Sequence, residues 1–427
     1  MARARLLITF VLATAFPLFI AGISHGAGFT VNSQGATALG QGNSVIAHTD
    51  DPSSVFFNPA LINKLDGTQI EIGTTMLIPS TSFHSDVTGR DFKTENDIFF
   101  PPTLFATHKF SDRLSAGFGI FSNFGLSTNW PDDWEGRFIT TKSELKTYTI
   151  NPAISYKPIP RLTVAAGVDV IFLDAELNKK LNAAPLGLPD IPQRLKGDDT
   201  AVGFNLGLLL ELSDNLSVGV AYRSRINTEI HGSVSHGLPA GTPAPVASLF
   251  PNTPARMTLK LPAQANFGIA YKGFKNLTLE VGGRWEGWSS FKELRIKTDQ
   301  PIAGNSEILI PKDWKDIYSV NVGARYQVSK VLALMAGYIH ENSPIPDSTF
   351  DPSIPDNGSN IFLVGADLRY KNFLFSVAYD YQRVPGRNKN NAVDDNPLDG
   401  VVNPAATANG CYKTHLHIIG VSITYKL

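Results

Sequence analysis

The sequence predicts an all-β protein, a 14-stranded antiparallel transmembrane β-barrel whose lumen is plugged by a small N-terminal helical hatch domain. Three observations lead to this prediction. Fourteen segments alternate apolar and polar residues with a period of two, as strands with two different faces do. The links between these segments alternate between short and long. The one long apolar run stands at the N-terminus and is typical of an export signal.

The composition fits a barrel and argues against other classes. With 427 residues, the chain is long for one ordinary soluble core but suits one large barrel. Its formal net charge of -1 gives no indication of a nucleic-acid partner. A mean hydropathy of -0.04 is too polar for a helical membrane protein, whereas a barrel exposes only alternate residues to lipid.

Residues 1–26 are predicted to be a secretory signal peptide. Two arginines precede the apolar run at 6–20, and small residues follow it. The run is short for a membrane-spanning helix, which needs about 20 residues. Cleavage after Gly26 would satisfy the preference for small residues, so the mature chain is expected to begin at Ala27.

Residues 27–66 are predicted to form a hatch inside the barrel. The segment lacks sustained alternation, and Asp51-Pro52 is typical of a helix start. A solvated tail is the alternative, but such a tail would carry few apolar residues. This segment contains Val55, Phe56, Phe57, Leu61, Ile62 and Leu65. The remaining residues, 67–427, would form the barrel.

The barrel prediction depends on the fourteen alternating segments. In the thirteenth, Phe373 and Phe375 lie on one face and Asp380 on the other. A soluble sandwich would cover the apolar face with a second sheet, whereas a membrane barrel turns that face to lipid. The segments lie near 67–84, 96–110, 114–128, 142–157, 161–177, 200–212, 215–233, 258–272, 276–297, 314–328, 331–343, 359–371, 373–385 and 413–427.

The links between the segments give an independent argument. Short links, such as those at 213–214 and 329–330, alternate with long ones. Bacterial outer-membrane barrels have short periplasmic turns, long extracellular loops and an even number of strands. The sequence therefore predicts a multi-pass protein of the bacterial outer membrane. The long links lie near 178–199, 234–257, 298–313, 344–358 and 386–412.

Two sets of motifs carry a family resemblance. Near the N-terminus the sequence reads AGF at 27–29, ALGQG at 38–42 and DPSSVFFNPA at 51–60. Further on, SNFGLST at 122–128 is followed by WEGR at 134–137. Together these motifs resemble the outer-membrane long-chain fatty acid and aromatic hydrocarbon transporter family (FadL-like). The family barrel also has fourteen strands, and the resemblance spans the whole mature chain.

The resemblance implies passive uptake through a monomeric barrel. A hatch carrying Asn58, Pro59 and Ala60 would close the lumen, and a kink in the third strand would open a side passage. Hydrophobic compounds, with long-chain fatty acids first, would be captured by the extracellular loops after strands five and seven. They would bind an apolar pocket above the hatch and leave sideways into the membrane. Aromatic hydrocarbons or alkanes, carried by the same mechanism, are the alternative substrates.

The residues at the expected kink and in the loops fit this mechanism. Asn123, Phe124 and Gly125 place a glycine where a wall strand would otherwise continue, and an interior glycine weakens a strand or marks a bulge. An ordinary strand end is the alternative. Apolar residues in the two loops would capture substrate or pack together as a lid. They are Leu181, Leu186, Leu188, Ile191, Leu238, Leu249 and Phe250.

A carboxylate headgroup would require a cation inside the barrel. Four arginines on inward faces are candidates, although inward-facing acidic residues are expected to pair with them. The arginines are Arg223, Arg284, Arg325 and Arg369, and the acidic residues are Glu211, Glu280, Glu286 and Asp367. Burial of each CH₂ group contributes about 0.8 kcal/mol, so a long acyl chain could bind at micromolar levels without a strong polar contact.

Other functions receive less support. The sequence has no nucleophile elbow, phosphate-binding loop or His-Glu-x-x-His motif, so neither enzyme activity nor a cofactor is expected. His415 and His417 share a strand face, but no third metal ligand accompanies them. Cys411 is the single cysteine, which excludes an intramolecular disulfide.

Two other kinds of outer-membrane β-barrel are alternatives to the transporter. A general diffusion porin would lack the apolar plug, and an adhesive surface barrel would bind no small ligand. The expected partners are therefore hydrophobic small molecules, together with outer-membrane lipid and lipopolysaccharide. No nucleic acid is expected to bind, and the protein is expected to be a monomer.

Overall fold

The chain forms a closed, 14-stranded antiparallel β-barrel in a computed structural model, which confirms the predicted fold class. The structure describes residues 28–95, 97–394, 401–404 and 406–427. The predicted signal peptide at 1–26 lies outside the described residues. The barrel closes because its first and last strands pair, from Gln69 with Lys426 to Ser85 with Gly410.

Each barrel strand consists of one strand segment or of two segments separated by a short interruption. The barrel strands are β1 (Thr68–Ser85), β2 (Pro102–Lys109), β3 (Leu114–Phe121 and Gly125–Asn129), β4 (Lys142–Ile159), β5 (Leu162–Leu181), β6 (Ile191–Glu211), β7 (Leu216–Arg223 and Ile226–His236), β8 (Thr253–Leu261 and Gln264–Phe274), β9 (Leu277–Glu286 and Glu293–Ile302), β10 (Asn305–Pro311 and Ile317–Gln327), β11 (Leu332–Glu341), β12 (Ser359–Tyr370), β13 (Phe373–Arg383) and β14 (Gly410–Lys426). Two short segments, Asp91–Lys93 and Arg387–Lys389, pair with the outer ends of β1 and β14.

The helices are short and lie mainly in the N-terminal segment. This segment contains an α-helix at Ala36–Gly40, another at Ser54–Phe57 and a 3₁₀ helix at Pro59–Lys64. Single helical turns in the connections lie at Ala184–Leu186, Ala244–Ala247 and Trp288–Ser290. Among the described residues, no helix has the length and hydrophobicity needed to span a membrane.

The side chains alternate between the lumen and an apolar outer belt. On β13, Phe373 and Phe375 are each 40% exposed, whereas Asp380 is 2% exposed. The same alternation continues across the sheet, where Phe375 pairs with Ile423 and Val377 with Val421 on β14. Because neighbouring strands present apolar residues at the same height, the outer surface is a continuous band suited to lipid.

The short connections lie at one end of the barrel and the long connections at the other. Arg161 and Asn276, in the turns after β4 and β8, have positive φ angles of 72° and 62°. Positive φ matches the backbone twist of tight hairpins. The alternation of connection lengths predicted from the sequence is therefore present, although two long connections differ in detail.

Two connections predicted as long loops are largely strand. β5 and β6 extend into the link expected at 178–199, which is reduced to 182–190. The link expected at 298–313 is a hairpin whose tip is Ala303-Gly304, where both residues have positive φ. Beyond the apolar belt the alternation reverses, because the outward face meets water and the inward face meets an apolar core.

The reversed alternation is visible on β6 and β9. Leu195 and Ile296 face inward and are buried, whereas Arg194 and Lys297 lie on the outward face. A search for outward apolar residues therefore ends these strands too early.

The second strand is shorter than predicted. It begins at Pro102 rather than near residue 96, and the preceding residues contact β1 mainly through an isolated bridge between Leu77 and Phe99. Pro101 and Pro102 lack backbone N–H groups, so a regular ladder cannot continue through them. Beyond Thr74, the outer half of β1 therefore lacks a regular ladder with β2, while β14 pairs with its other edge throughout.

Residues 28–66 lie inside the barrel and contact strands around its circumference. The Glu280 carboxylate on β9 accepts hydrogen bonds from the backbone N–H groups of Ile46 (2.6 Å) and Ala47 (3.0 Å). Three to four strands further round the wall, Leu39 packs against a cluster that includes Leu363 on β12 and Ala378 on β13. The segment thus forms the interior packing that a barrel of this width requires.

Candidate functional site

The barrel wall is interrupted on β3, between Phe121 and Gly125. The first half of β3 pairs with β2 and β4, whereas the second half forms a ladder with β4 alone. Along its other edge, the second half of β3 does not pair with β2. It exchanges backbone hydrogen bonds there with residues outside the strands. Gly125 N–H donates to the Phe29 carbonyl (3.0 Å), and Glu95 N–H donates to the Asn129 carbonyl (2.8 Å). The predicted kink residues therefore lie at a break in the wall.

Polar contacts hold the chain at this interruption. The Asn123 side-chain amide donates to Gln264 Oε1 across the lumen (3.0 Å). The Thr147 hydroxyl donates to the Phe124 carbonyl (2.6 Å) and accepts from the Phe124 N–H (3.2 Å). Phe124 is 2% exposed, so the strand turns its apolar side chain into the barrel at this point.

An aromatic cluster lies on the inner side of the interruption. The Phe29 ring centroid is 6.3 Å from that of Phe124, 4.5 Å from that of Trp288 and 5.7 Å from that of Trp314. Edge-to-face contacts of this kind stabilise a fixed arrangement of rings. The first residues of the N-terminal segment are therefore held against the wall break.

A cavity of about 480 Å³ lies beside the interruption. This volume falls within the range of about 300–1,000 Å³ that is usual for small-molecule sites. Its lining also includes Ile98, Phe100 and Tyr148, which are 50%, 59% and 47% exposed on the outer surface. The cavity is thus lined from both sides of the wall. Its apolar lining includes Phe29, Val31, Leu77, Phe124, Leu126, Leu145, Ile339, Ile361, Leu416 and Ile418.

The charged residues of the cavity lining are mostly acidic. It includes Arg284, Glu341, Asp356 and Asp380. Asp356 accepts hydrogen bonds from the Gly28 N–H (3.3 Å) and the Ser343 hydroxyl (2.9 Å). Burial, together with the nearby negative charge of Glu341, raises the pKa of Asp356 to about 7 against the lowering effect of the Ser343 hydrogen bond.

Arg284 is the only one of the four predicted arginines that lines the cavity, and it is already paired. Its guanidinium group lies 3.0 Å from Glu286 Oε1 and donates to Glu341 Oε2 at 2.9 Å. Arg223 pairs with Asp169. The cation expected for a carboxylate headgroup is therefore engaged with two acidic partners.

The other two predicted arginines lie away from the cavity. Arg325 pairs with Asp367 (2.8 Å) and with Asp50 of the N-terminal segment (3.4 Å). Arg369 is exposed, and its backbone N–H donates to the Val331 carbonyl beside a short turn. Arg284 and Arg325 pair with Glu286 and Asp367, as predicted, whereas Arg223 pairs with an acidic residue outside the predicted set.

Two acidic residues expected to pair with arginine have other partners. Glu211 pairs with Lys64 of the N-terminal segment and lies 3.8 Å from Lys157. Glu280 binds the N-terminal segment, where His48 Nδ1 lies 2.6 Å from its Oε2 atom. The expectation of arginine pairing was wrong for both, because the N-terminal segment brings its own donors into the lumen.

Asn58, Pro59 and Ala60 lie where the N-terminal segment meets β6. The Asn58 amide donates to the carbonyls of Ile46 (2.7 Å) and Leu208 (3.0 Å). Its side-chain oxygen accepts from the Ala60 N–H (3.1 Å), which caps the 3₁₀ helix that starts at Pro59. The motif therefore fixes the segment to the wall.

Most of the predicted apolar loop residues pack together over the outer end of the barrel. Ile191 and Phe250 are buried in the large apolar core, and Leu181, Leu188 and Leu238 pack against it. Leu186 and Leu249 remain 44% and 40% exposed. The lid alternative thus describes most of these residues, while two stay open to solvent.

The late histidines and the cysteine are remote from this arrangement. His417 Nδ1 lies 2.7 Å from the Tyr379 hydroxyl, while Cys411 is half-buried with a free thiol. In the part of the chain that the structure describes, no group of three or more His, Cys, Asp or Glu side chains could hold a metal ion.

Sequence reasoning missed several residues of the site. Asp380 was assigned to the inward face, but period-two alternation does not show which inward residues reach a cavity. Phe29 lies in a quoted motif, yet its contact with Trp288 joins residues far apart in sequence. The inward position of a lone acidic residue, flanked by apolar inward neighbours such as Leu374 and Ala378, was the one available signal.

A family model described as outer membrane protein transport protein (OMPP1/FadL/TodX) matches residues 17–427. Among curated proteins, the chain is 26% identical over 370 residues to a long-chain fatty acid transport protein of Escherichia coli O6:H1, covering 77% of this chain and 80% of the relative. It is 26% identical over 382 residues to a 47 kDa outer membrane protein of Pasteurella multocida, covering 84% of this chain and 87% of the relative.

Solved structures share the fold. A Pseudomonas aeruginosa FadL homologue superposes with a TM-score of 0.83 at 20% identity, covering 94% of this chain and all of the other. The Pseudomonas putida toluene transporter TodX gives a TM-score of 0.72 at 17% identity, covering 94% of this chain and 99% of the other. These similarities extend over nearly the whole barrel and the N-terminal segment.

Proposed function

The chain belongs to the OMPP1/FadL/TodX family of outer-membrane transport proteins, which carry hydrophobic substrates and are not enzymes, and we propose that it releases its substrate sideways through the wall beside β3. The observation that supports this route most strongly is the cavity beside the interruption. It is lined by inner residues such as Phe124 and by outer residues such as Phe100. A hydrophobic compound could pass along this lining into the bilayer without crossing water.

The N-terminal segment is proposed to act as the hatch. It fills the lumen, and Asn58 ties it to β6 while Glu280 ties it to β9. A filled lumen disfavours a straight path to the periplasm, and it disfavours the general diffusion porin, which needs an aqueous channel. The side route is then the shorter way out of the cavity.

Capture is proposed to begin at the outer loops. Leu186 and Leu249 are exposed on the loops after β5 and β7, above an apolar core that packs most of the neighbouring loop residues. Exposed apolar residues of this kind are suited to a first, weak contact with a hydrophobic compound. We also propose a monomer that contacts lipid and lipopolysaccharide, since each barrel contains its own cavity and wall break.

Long-chain fatty acids and aromatic hydrocarbons are the two substrate classes that the names of the relatives suggest. One relative is named for long-chain fatty acid transport, and one structural neighbour is named as a toluene transporter. Both classes would gain from an apolar lining, at about 0.8 kcal/mol for each CH₂ group buried. Because the transport is passive, this binding only has to favour entry and still allow exit.

Blocking the wall opening tests the lateral route. Ser127 lines the cavity on the second half of β3, so Ser127→Trp would fill the opening from its outer side. Uptake of radiolabelled oleate and toluene by a deletion strain that carries this variant should fall at least about fivefold. The indole ring would occupy the space through which the substrate passes and would take its contacts with the apolar lining.

Val320→Trp serves as the matched control, because Val320 is 56% exposed on the outer face of β10 and does not line the cavity. Both variants should assemble as heat-modifiable barrels. Uptake that is equal in the two variants, with both barrels assembled, would rule out lateral release beside β3.

A further inference from the structure

The polar end of the cavity is built from carboxyl groups. Glu341 on β11, Asp356 before β12 and Asp380 on β13 all line it. Among the described residues of the lining, the cations are Arg284 and Lys146. The balance of charge in this part of the barrel is therefore acidic.

Neither cation is available to a new anion. Arg284 contacts both Glu286 and Glu341, at 3.0 and 2.9 Å. Lys146 donates to Glu144 at 2.8 Å, on the outward face of β4. A carboxylate headgroup that took Arg284 from its partners would leave Glu286 or Glu341 buried without compensation.

Asp380 is an acidic residue of the lining that has an oxygen atom without a hydrogen-bond donor. Its side chain is buried, with 2% of the residue exposed. Its Oδ2 atom accepts one long hydrogen bond from the Gln382 amide (3.4 Å), and its Oδ1 atom has no partner among the described residues. A buried oxygen without a donor is unfavourable, so a ligand that donates a hydrogen bond would be stabilised there.

The surroundings of Asp380 are apolar. It pairs across the sheet with Leu363 on β12 and Ile418 on β14, and the nearby Ile361 and Leu416 line the same cavity. A ligand whose polar group contacts Asp380 would therefore lay its hydrocarbon part on this lining, toward the wall break.

We propose that the channel prefers hydrophobic compounds that end in an uncharged hydroxyl group, such as alcohols and phenols, over fatty carboxylates, with the hydroxyl donating to Asp380. This inference rests on the proposed function, because it assigns the headgroup for the same cavity. A hydroxyl supplies the missing donor for the Asp380 Oδ1 atom, whereas an ionised carboxylate has no hydrogen to donate.

Matched probes of equal chain length test the preference. Radiolabelled decanol, decanoate and decane would be equilibrated at neutral pH with the full-length mature protein in lipid nanodiscs, and empty nanodiscs would correct for partition into lipid. Decanol should bind about tenfold more tightly than decanoate, which corresponds to about 1.4 kcal/mol, and more tightly than decane.

Substitutions at Asp380 test the assigned residue. Asp380→Asn keeps the shape and one acceptor oxygen but adds an N–H donor that a carboxylate can accept from, so the gap between decanol and decanoate should narrow to less than about threefold. Asp380→Leu removes the acceptor, so decanol should lose its advantage over decane. Asp367→Asn is the matched control, because Asp367 is equally buried but does not line the cavity, and it should leave the order of the three probes unchanged.

The possible outcomes distinguish an error in the proposed headgroup from an error in the proposed transport function. Equal binding of decanol and decanoate by the wild type would overturn the preference for a hydroxyl while leaving hydrophobic transport intact. Unchanged ratios in the Asp380→Asn variant would overturn the role of Asp380, and this variant is sufficient if the leucine variant does not assemble. Absence of binding by all three probes, together with absence of uptake, would instead contradict the proposed transport function.

Discussion

The side-chain amide of Asn58 donates a hydrogen bond to the backbone carbonyl of Leu208, at 3.0 Å, and so joins the N-terminal segment to the wall strand β6. The same amide reaches the Ile46 carbonyl. One buried side chain thus links two parts of the N-terminal segment and the barrel.

Asn58→Ala should loosen the N-terminal segment without disturbing the barrel. The change leaves buried backbone groups of Ile46, Ala60 and Leu208 without their side-chain partner, at a cost of about 1–3 kcal/mol for each unsatisfied group. Hydrogen exchange at residues 54–64 should accelerate at least about tenfold. Asn32→Ala is a control within the same segment, because Asn32 does not have the positive φ angle that makes alanine unfavourable. Equal exchange in the two variants would show that the Asn58 contacts do not hold the segment.

Gly207→Ala should displace the same segment from the wall side. A Cβ atom at Gly207 would lie 2.4 Å from Asn58 Oδ1 and 2.8 Å from the Ala60 nitrogen, both too close. We expect the overpacking to cost about 1–3 kcal/mol. Protease cleavage within residues 44–66 should increase, whereas Leu206→Ala, on the lipid-facing side of β6, should leave this region protected. A segment as protected as in the wild type would contradict the close contact.

Glu280→Ala should release the middle of the N-terminal segment. Glu280 is 1% exposed and accepts hydrogen bonds from the N–H groups of Ile46 and Ala47, which would then be buried without acceptors. The expected loss is at least about 2 kcal/mol in the stability of the docked segment. Hydrogen exchange of these two amides measures it directly. Glu280→Gln, which keeps one acceptor oxygen, should show a smaller effect, and an equal effect would point to charge rather than to hydrogen bonding.

Docking of the N-terminal segment should depend on pH through Asp51. Burial, together with the negative charges of Asp367 and Asp50, raises the pKa of Asp51 to about 6 against the lowering effect of the Ser53 hydrogen bonds. The docked state therefore binds this proton more tightly than the undocked state, so docking weakens as pH rises from about 4 to about 6 and stays weaker above that range.

The Asp51→Asn variant tests this dependence. At neutral pH its residues 51–57 should exchange hydrogen at least about tenfold more slowly than those of the wild type, and near pH 4 the two proteins should agree. The neighbouring charged groups are Glu71 on β1 and Arg325 on β10, and neither is changed. A wild-type protein whose exchange, corrected for intrinsic rates, does not change between these pH values would contradict the assignment.

The sequence was sufficient for the barrel and insufficient for its interior. Residues such as Phe375 and Asp380 revealed their faces through period-two alternation, because lipid and lumen impose opposite preferences along each strand. The search for outward apolar residues made the predicted β6 and β9 too short. Around Leu195 and Ile296 the outward face meets water and the inward face meets an apolar core, so the alternation of apolar and polar residues is reversed. Strand limits therefore follow the medium outside the wall as much as the backbone.

The contacts of the candidate site join residues that alternation cannot relate. Glu280 was expected to pair with an arginine, but its partners are backbone groups of the N-terminal segment, which present no sequence pattern. The arginine set was read from inward positions alone, and only Arg284 reaches the cavity. Motif resemblance located the break at Asn123 to Gly125, whereas the acidic lining required the three-dimensional arrangement.

The pairing of β1 with β14, from Gln69 with Lys426 to Ser85 with Gly410, has a consequence for biogenesis. The strand that seals the ring, β14, is synthesised after the other thirteen strands, whereas residues 28–66 are synthesised before the first strand. Because the barrel encloses the N-terminal segment, this segment must enter the lumen before β14 pairs with β1 or while the two strands pair. A chain truncated before Gly410 should therefore accumulate as an unsealed sheet that exposes its edges to chaperones and proteases.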